Sequence, residues 1–407
     1  MAKQTRRFQI STIPQLLTAS IATRLATDTT TQLFNPFLVT IAAGLGLDVL
    51  TMGRLVSLRS LMGLGSPLFG SAADRFGYRR VMRFGLLLAA LGMFAIGSGG
   101  GLGTVVVGMI LSGIGLSAFV PTLQAYLSAR LPYHQRARGI GILEYAWALA
   151  GIVGLFAMGF LFEGVGWRAP FFVLGTWILA GWGLFAFFPS ARSDGSSAQA
   201  PTTTLFSGGL RGFFDLGPNR RSAYAVIVSA SLLFFAQFHV IIAHGAWLEA
   251  EYGLGPALLG SVALAQGLAD LCGSVLVSLI TDKVGKKRSV QAGMLGALIV
   301  FVALPFVNVG LWPVIAALVL LRFSFEFGIV ANISLASEQA PDRRGKVMTL
   351  AAAFNLLGAT ITGFSGPWAY TTFGVWGLGP VAAVCTAAGL VLLTVWGQEG
   401  TEVSKKL

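Results

Sequence analysis

Long apolar runs separated by short clusters of cations limit what this chain can become. A run of about 20 apolar residues crosses a hydrocarbon core of about 30 Å as a helix. Read with that ruler, the 407 residues divide into twelve expected spans, at 14–41, 51–73, 81–98, 104–128, 139–163, 169–188, 222–248, 258–281, 289–308, 313–336, 346–370 and 377–396. With 55% hydrophobic and 11% charged residues, the chain has too little polar surface to cover a water-soluble globule. It therefore reads as an all-α integral membrane protein. The 53 glycines exceed the usual share of about 7%, as close helix approach in a membrane favours.

The net charge of +12 does not point to nucleic acid, because the cations sit between the apolar runs as the orientation rule for membrane proteins requires. With the N-terminus in the cytoplasm, Lys3, Arg6, Arg7, Arg75, Arg79, Arg80, Arg130, Arg136, Arg138, Lys283, Lys286, Lys287, Arg288, Arg343, Arg344 and Lys346 all fall on that side, and only Arg168 lies clearly outside. Both termini are expected there, with the first span retained rather than cleaved. Residues 189–221, rich in Ser, Thr, Gly and Pro, read as a cytoplasmic linker between bundles 1–188 and 222–407. Cys272 and Cys385 lie in separate apolar runs without metal-ligand spacing and are expected to be inert core residues. No metal or other cofactor is expected.

The two halves repeat. Gly70-Ser-Ala-Ala-Asp74-Arg75-Phe-Gly77-Tyr-Arg79-Arg80 is echoed by Thr281-Asp282-Lys283-Val-Gly285-Lys286-Lys287-Arg288, the aspartates 208 positions apart. Pro132 and Pro341 stand 209 apart, as do Trp167 and Trp376. Three landmarks in one register indicate parallel six-helix repeats.

The twelve spans, the central linker and the Asp-Arg-x-Gly-x-Arg turn together resemble the major facilitator superfamily of secondary transporters. The stretch from Arg24 to Glu144-Tyr-Ala-Trp147 is similar to bacterial sugar-efflux and drug-efflux permeases. The superfamily's turn, Gly-x-Leu-Ala-Asp-Arg-x-Gly-Arg-Arg, is met at Gly70, Ala73, Asp74, Arg75, Gly77 and Arg79, with Ala72 and Tyr78 departing and Ser278 replacing the leading glycine of the second copy. The resemblance implies two pseudo-symmetric six-helix bundles, a midplane site between them and a gating role for Asp74 and Arg75. A purely topological role is the alternative, and is the preferred reading for Arg79, Arg80 and the cations of the second copy, whose Asp282 is grouped with the gating motif. Gly77 and Gly285 serve tight turns. Two elements of drug/proton antiporters are missing. Span four carries Met109-Ile-Leu-Ser112-Gly113 where those proteins have Arg-x-x-Gln-Gly, and 151–159 lacks their proline.

Charges in a bilayer centre cost several kcal/mol unless paired or wetted, so each is a functional candidate. Arg24 and Asp28 share one face of span one, continued by Gln32 and Asn35; Arg59 in span two is a possible partner of Asp28. Gln124, Glu144 and Trp147 follow in spans four and five. Glu144 reads as a proton carrier or as the partner of a loop arginine, and Trp147 as packing. Span seven offers Gln237, His239 and His244, span eight Gln266 and Asp270, span ten Arg322, Glu326 and Asn332, and span eleven Asn355. Arg322 and Glu326 repeat the four-residue spacing of Arg24 and Asp28. The proton-coupling candidates are Asp28, Glu144, Asp270, Glu326 and His239, the last because histidine titrates near pH 6.5. Alternatively, such groups only tie helices together.

The expected function is proton-coupled efflux of a small organic or amphipathic solute by alternating access, in the inner membrane and as a monomer. An uncoupled facilitator or a lipid translocase of the same fold is the alternative. An intramembrane enzyme is disfavoured by the lack of His-Glu-x-x-His, Gly-x-Ser-x-Gly and nucleotide loops.

Overall fold

The computed structural model describes residues 12–131, 142–189, 214–340 and 343–399; the side chains of Ser71, Asp74 and Arg344 lie outside that description. The described residues form helices and no strand. In chain order these are α1 (Ile13–Gln32), α2 (Phe34–Leu45), α3 (Val49–Leu61), α4 (Ser66–Phe76), α5 (Tyr78–Ser98), α6 (Leu102–Arg130) and α7 (Ile142–Gly164). There follow α8 (Ala169–Leu184), α9 (Arg220–Tyr252), α10 (Pro256–Val284), α11 (Lys286–Ala303), α12 (Leu311–Glu338), α13 (Arg344–Phe373) and α14 (Val375–Trp396).

Among the described residues nine helices are long and apolar enough to cross a membrane, or ten if the bent pair Phe34–Leu45 and Val49–Gly70 counts as one span. The sequence led us to expect twelve. Each expected segment does coincide with helix, and the shortfall lies in three of them. The first is broken at Leu33, between α1 and α2, and kinked in the first turn of α2, where Pro36 lacks an amide hydrogen and Phe37 leaves helical geometry at φ −108°, ψ 20°. The second is broken by a 3₁₀ turn at Met62–Gly65. The ninth, α11, opens on three cations, Lys286, Lys287 and Arg288.

Close packing divides the chain into two units. The first comprises Met1–Thr31, Met62–Ala150 and Trp167–Gln199. Within it α5 packs on α6 and α8 around Met82, Leu86, Met93, Phe119 and Phe171. The second comprises Gln32–Leu61, Gly151–Gly166 and Ala200–Leu407. Its centre is α9, apolar and buried nearly all round, against which α2, α12, α13 and α14 pack; α10 lies on α12 and on Phe156–Gly164, and α3 lies on α13.

Three boundaries between the units fall inside spans, at 31/32, 61/62 and 150/151, and each coincides with a lapse in α-helical bonding. These lapses are the break at Leu33 to Phe37, the 3₁₀ turn at Met62–Gly65 and a π-helical segment at Ala150–Leu155.

The internal repeat reaches the backbone. Gly77 (φ 90°, ψ 139°) separates α4 from α5, and Gly285 (φ 100°, ψ 145°) separates α10 from α11. Their amides bond back to the Ala73 and Thr281 carbonyls at 2.8 and 2.9 Å. Both occupy a region essentially closed to other residues, so glycine is required at each. The Pro132 and Pro341 landmarks lie outside the described residues.

Cys272 is exposed on α10 and Cys385 half-buried, so the expectation of two core cysteines is corrected. An exposed thiol on a spanning helix meets lipid without polar cost.

Candidate functional site

In the first unit the polar centre is built on Arg24. Its Nε donates to Asp28 Oδ1 at 3.0 Å, across one turn of α1. Its two terminal nitrogens donate to the two carboxylate oxygens of Glu144 on α7 at 3.2 and 3.1 Å, a bidentate fork. Gln124 on α6 completes the group by donating to Glu144 Oε1 at 2.7 Å. Arg24 and Asp28 are buried, whereas the Glu144 side chain is 45% exposed. One guanidinium thus faces two carboxylates, an imbalance of one negative charge when both are ionised. Glu144 pairs with a buried arginine of α1; Arg136 and Arg138 of the adjoining loop lie outside the described residues.

In the second unit the stripe Gln266, Asp270, Ser274 on α10 faces Arg322 and Glu326 on α12. Arg322 Nη2 bonds Asp270 Oδ2, and the Ser274 hydroxyl donates to Glu326 Oε1 at 2.7 Å. These are two rungs between helices, one turn apart. Arg322 thus reaches a carboxylate on the neighbouring helix, that of Asp270, which spacing along α12 does not announce. Gln32, Asn35, Gln266, Asp270 and Arg322 line one small cavity in this unit, together with His244.

The other candidates are placed differently. His239 Nδ1 lies 2.9 Å from the Ser365 hydroxyl and Nε2 lies 3.2 Å from the Gly377 carbonyl. A carbonyl only accepts, so Nε2 carries the hydrogen and Nδ1 accepts from the serine. Both ring nitrogens are engaged in joining α9 to α13 and α14, a packing position. Asn332 donates to the Val226 carbonyl at 3.3 Å, and Asn355 accepts from Ser231 at 3.1 Å; each ties a helix to α9. Arg59 is buried beneath its α3 face with its guanidinium 5.1 Å from the Phe34 ring centre, a cation–π contact. Gln237 is wholly buried, and Trp147 is half-buried on α7.

The family model of the Major Facilitator Superfamily matches residues 21–242 and 226–406. The chain belongs to that superfamily. Like other major facilitators it is a secondary transporter and not an enzyme. It is similar to the uncharacterized MFS-type transporter YwfA of Bacillus subtilis (strain 168), with 23% identity over 88% of this chain and 86% of the relative. Multidrug resistance protein 2 of the same organism is 24% identical over 76% of this chain and 77% of its own. Among solved structures, a D-xylose-proton symporter superposes with a TM-score of 0.72 at 18% identity, over 94% of this chain and 98% of the other, and so shares the fold.

The turn that signals the superfamily is held by contacts its sequence does not announce. Arg79 of this major facilitator donates to the Phe188 carbonyl at 3.0 Å, while Arg75 is exposed, 5.3 Å from the Phe76 ring centre. The Asp74 side chain lies outside the described residues. A side chain at Gly70 would meet nothing within 4 Å, so packing does not demand glycine there. In the second copy Asp282 is exposed. The Lys286 amide donates to Glu399 Oε1 at 2.7 Å and its ammonium pairs with Glu338. Sequence reasoning missed Glu338 and Glu399, which lie 52 and 113 residues from Lys286, because nothing local marks such partners.

Proposed function

We propose that this major facilitator exports a small organic or amphipathic solute in exchange for protons, through twelve spanning helices in two six-helix bundles of a bacterial inner membrane. The observation that carries the reading is the Arg24 group, one buried cation against two carboxylates. Desolvation favours a neutral carboxylic acid and the guanidinium favours a carboxylate, so one proton balances the group, and Glu144, the most exposed of the three, is the place to deliver it. Asp28 is the buried partner whose charge that proton would offset. The likeness to a multidrug resistance protein supports the outward direction, and the asymmetry of the cations supports cytoplasmic termini.

The test begins with a stabilisation screen of the purified protein against organic acids, sugars and lipophilic cations. Any hit is then followed as flux into proteoliposomes under an imposed pH gradient of either sign. The expected outcome is accumulation that reverses with the gradient and that Asp28→Asn or Glu144→Gln uncouples, leaving solute exchange intact. Flux indifferent to the gradient in the wild type would instead make the protein a facilitator.

A further inference from the structure

Four buried side chains of the second unit each carry a polar atom with no partner among the described residues: His244 Nε2, Gln266 Nε2, Asp270 Oδ1 and Arg322 Nε. Their residues are 1%, 6%, 2% and 5% exposed. All four line the same cavity, whose space for the centre of a water molecule is about 10 Å³. That is room for one water, and a buried water needs two to four polar neighbours.

The four atoms also define what can sit there. Arg322 has committed Nη2 to Asp270 Oδ2, so its Nε–H and Asp270 Oδ1 are both left over. His244 Nδ1 bonds the Ile241 carbonyl, which only accepts; the ring hydrogen is therefore on Nδ1, and Nε2 is a bare acceptor. Gln266 Nε2 is a donor. The walls thus offer two donors and two acceptors. A cation would meet the guanidinium and the amide hydrogens; an anion would meet the carboxylate and the imidazole lone pair. A water molecule, which donates twice and accepts twice, satisfies all four.

We infer that this cavity binds a single water molecule that links Asp270 to His244 and makes His244 a proton-transfer partner of the Asp270–Arg322 pair. Transfer through it is balanced. That fit is to ionised Asp270; once protonated on Oδ1, the Asp270 carboxyl donates to the water in place of Gln266, gives its proton to the water, and the water gives one of its own to His244 Nε2. A carboxylate held by Arg322, an imidazolium and an unchanged water remain. The charged groups facing Asp270 are Arg322 and, one turn along α12, Glu326 with its Ser274 contact; α9 contributes His244. From the end of α1, from α2 and from the π segment of α7 come Gln32, Asn35, Gly151 and Leu155, none of which titrates. The use of this path in transport rests on the proton-coupled reading above; the water site and the link do not.

The experiment needs no substrate. The full chain in lipid nanodiscs is followed by infrared difference spectroscopy on a pH jump, in ordinary and in ¹⁸O water, for the wild type, Asp270→Asn and His244→Gln. Nuclear magnetic resonance of ¹⁵N-histidine-labelled wild type supplies the ring tautomer. We expect an ¹⁸O-sensitive water band that accompanies the Asp270 carboxyl band and is lost in both variants. The Asp270 titration should be displaced by about one pH unit or more in His244→Gln, as for coupled sites. His244 should carry its hydrogen on Nδ1 when neutral. Should Asp270→Asn fail to fold, Gln266→Met, which removes one donor, should shift the water band. A neutral ring protonated on Nε2, no ¹⁸O-sensitive band, or an Asp270 titration unchanged in His244→Gln would overturn the inference. A water band that persists alongside gradient-insensitive flux would sink the coupling reading and leave the site standing.

Discussion

At the residue scale, four-residue spacing along a helix announces only part of the pairing in this chain. Arg24 and Asp28 pair along their own helix, which is why that contact is legible in sequence. Arg322 reaches Asp270 and Glu326 reaches Ser274 across on α10, and Glu144 reaches Arg24 from 120 residues away; spacing on one helix does not say which neighbour will face it. The Arg24 fork predicts a sharp distinction between substitutions. Arg24→Lys keeps the charge but cannot bridge both carboxylates bidentately, whereas Arg24→Met strands two buried or half-buried anions. Breaking such a pair costs about 3–5 kcal/mol. Thermal unfolding in detergent should therefore place Arg24→Met well below Arg24→Lys, and Asp28→Asn combined with Arg24→Met should recover part of the loss. His239 offers the converse. His239→Ala leaves the Ser365 and Gly377 groups unsatisfied, at about 1–3 kcal/mol, and should lower stability without moving the pH dependence of flux in proteoliposomes.

At the element scale, the paired turns behave as one design. Gly77→Ala and Gly285→Ala each force an alanine into a backbone region that costs about 1–3 kcal/mol. The second adds a Cβ 3.2 Å from Glu399 Oε2, the carboxylate that holds the Lys286 amide, so its melting temperature should fall further if that side chain cannot move aside. The glycines were legible because no other residue tolerates those angles. The interruptions within spans were not. Pro36 hints at the first, but the π segment at Ala150–Leu155 has no residue type that marks it. Where the linker rejoins the helices, Asp215 accepts from the Gly217 amide at 3.0 Å and pairs with Arg343 on the approach to α13. These contacts, the amide first, hold its carboxyl below the usual carboxylate value. Because the folded value is depressed, the contribution is present above the ordinary value of about 3.9 and is lost as pH falls below it. Hydrogen exchange of the Gly217 amide should accelerate, relative to its intrinsic rate, on acidification through that window in the wild type, and should show no such step in Asp215→Asn.

At the scale of the whole molecule, among the described residues nine of the twelve expected spans were legible because the bilayer imposes their length, and the paired turns because two stretches preserve one register. What stayed hidden is that parts of the first, second and fifth expected spans pack with the second unit. There α3 meets α13 glycine to glycine: a Cβ at Gly363 would lie 2.9 Å from the Gly53 carbonyl. Gly363→Leu should wedge these helices apart at about 1–3 kcal/mol. In a background lacking Cys272 and Cys385, alkylation of Ser57→Cys should accelerate in that variant. The π segment of α7 has a further consequence, one of angular phase. An α-helix advances about 100° per residue, and a π turn accommodates one residue more than an α turn. Glu144 on one side of it reaches Arg24, while Gly151 within it and Gly159 beyond it fit against Gly267 and Gly260 of α10. Removing a single residue between Gly151 and Leu155 would restore regular helix and turn Gly151 and Gly159 out of register with each other against α10, so this packing is timed by a residue count and not by any one side chain.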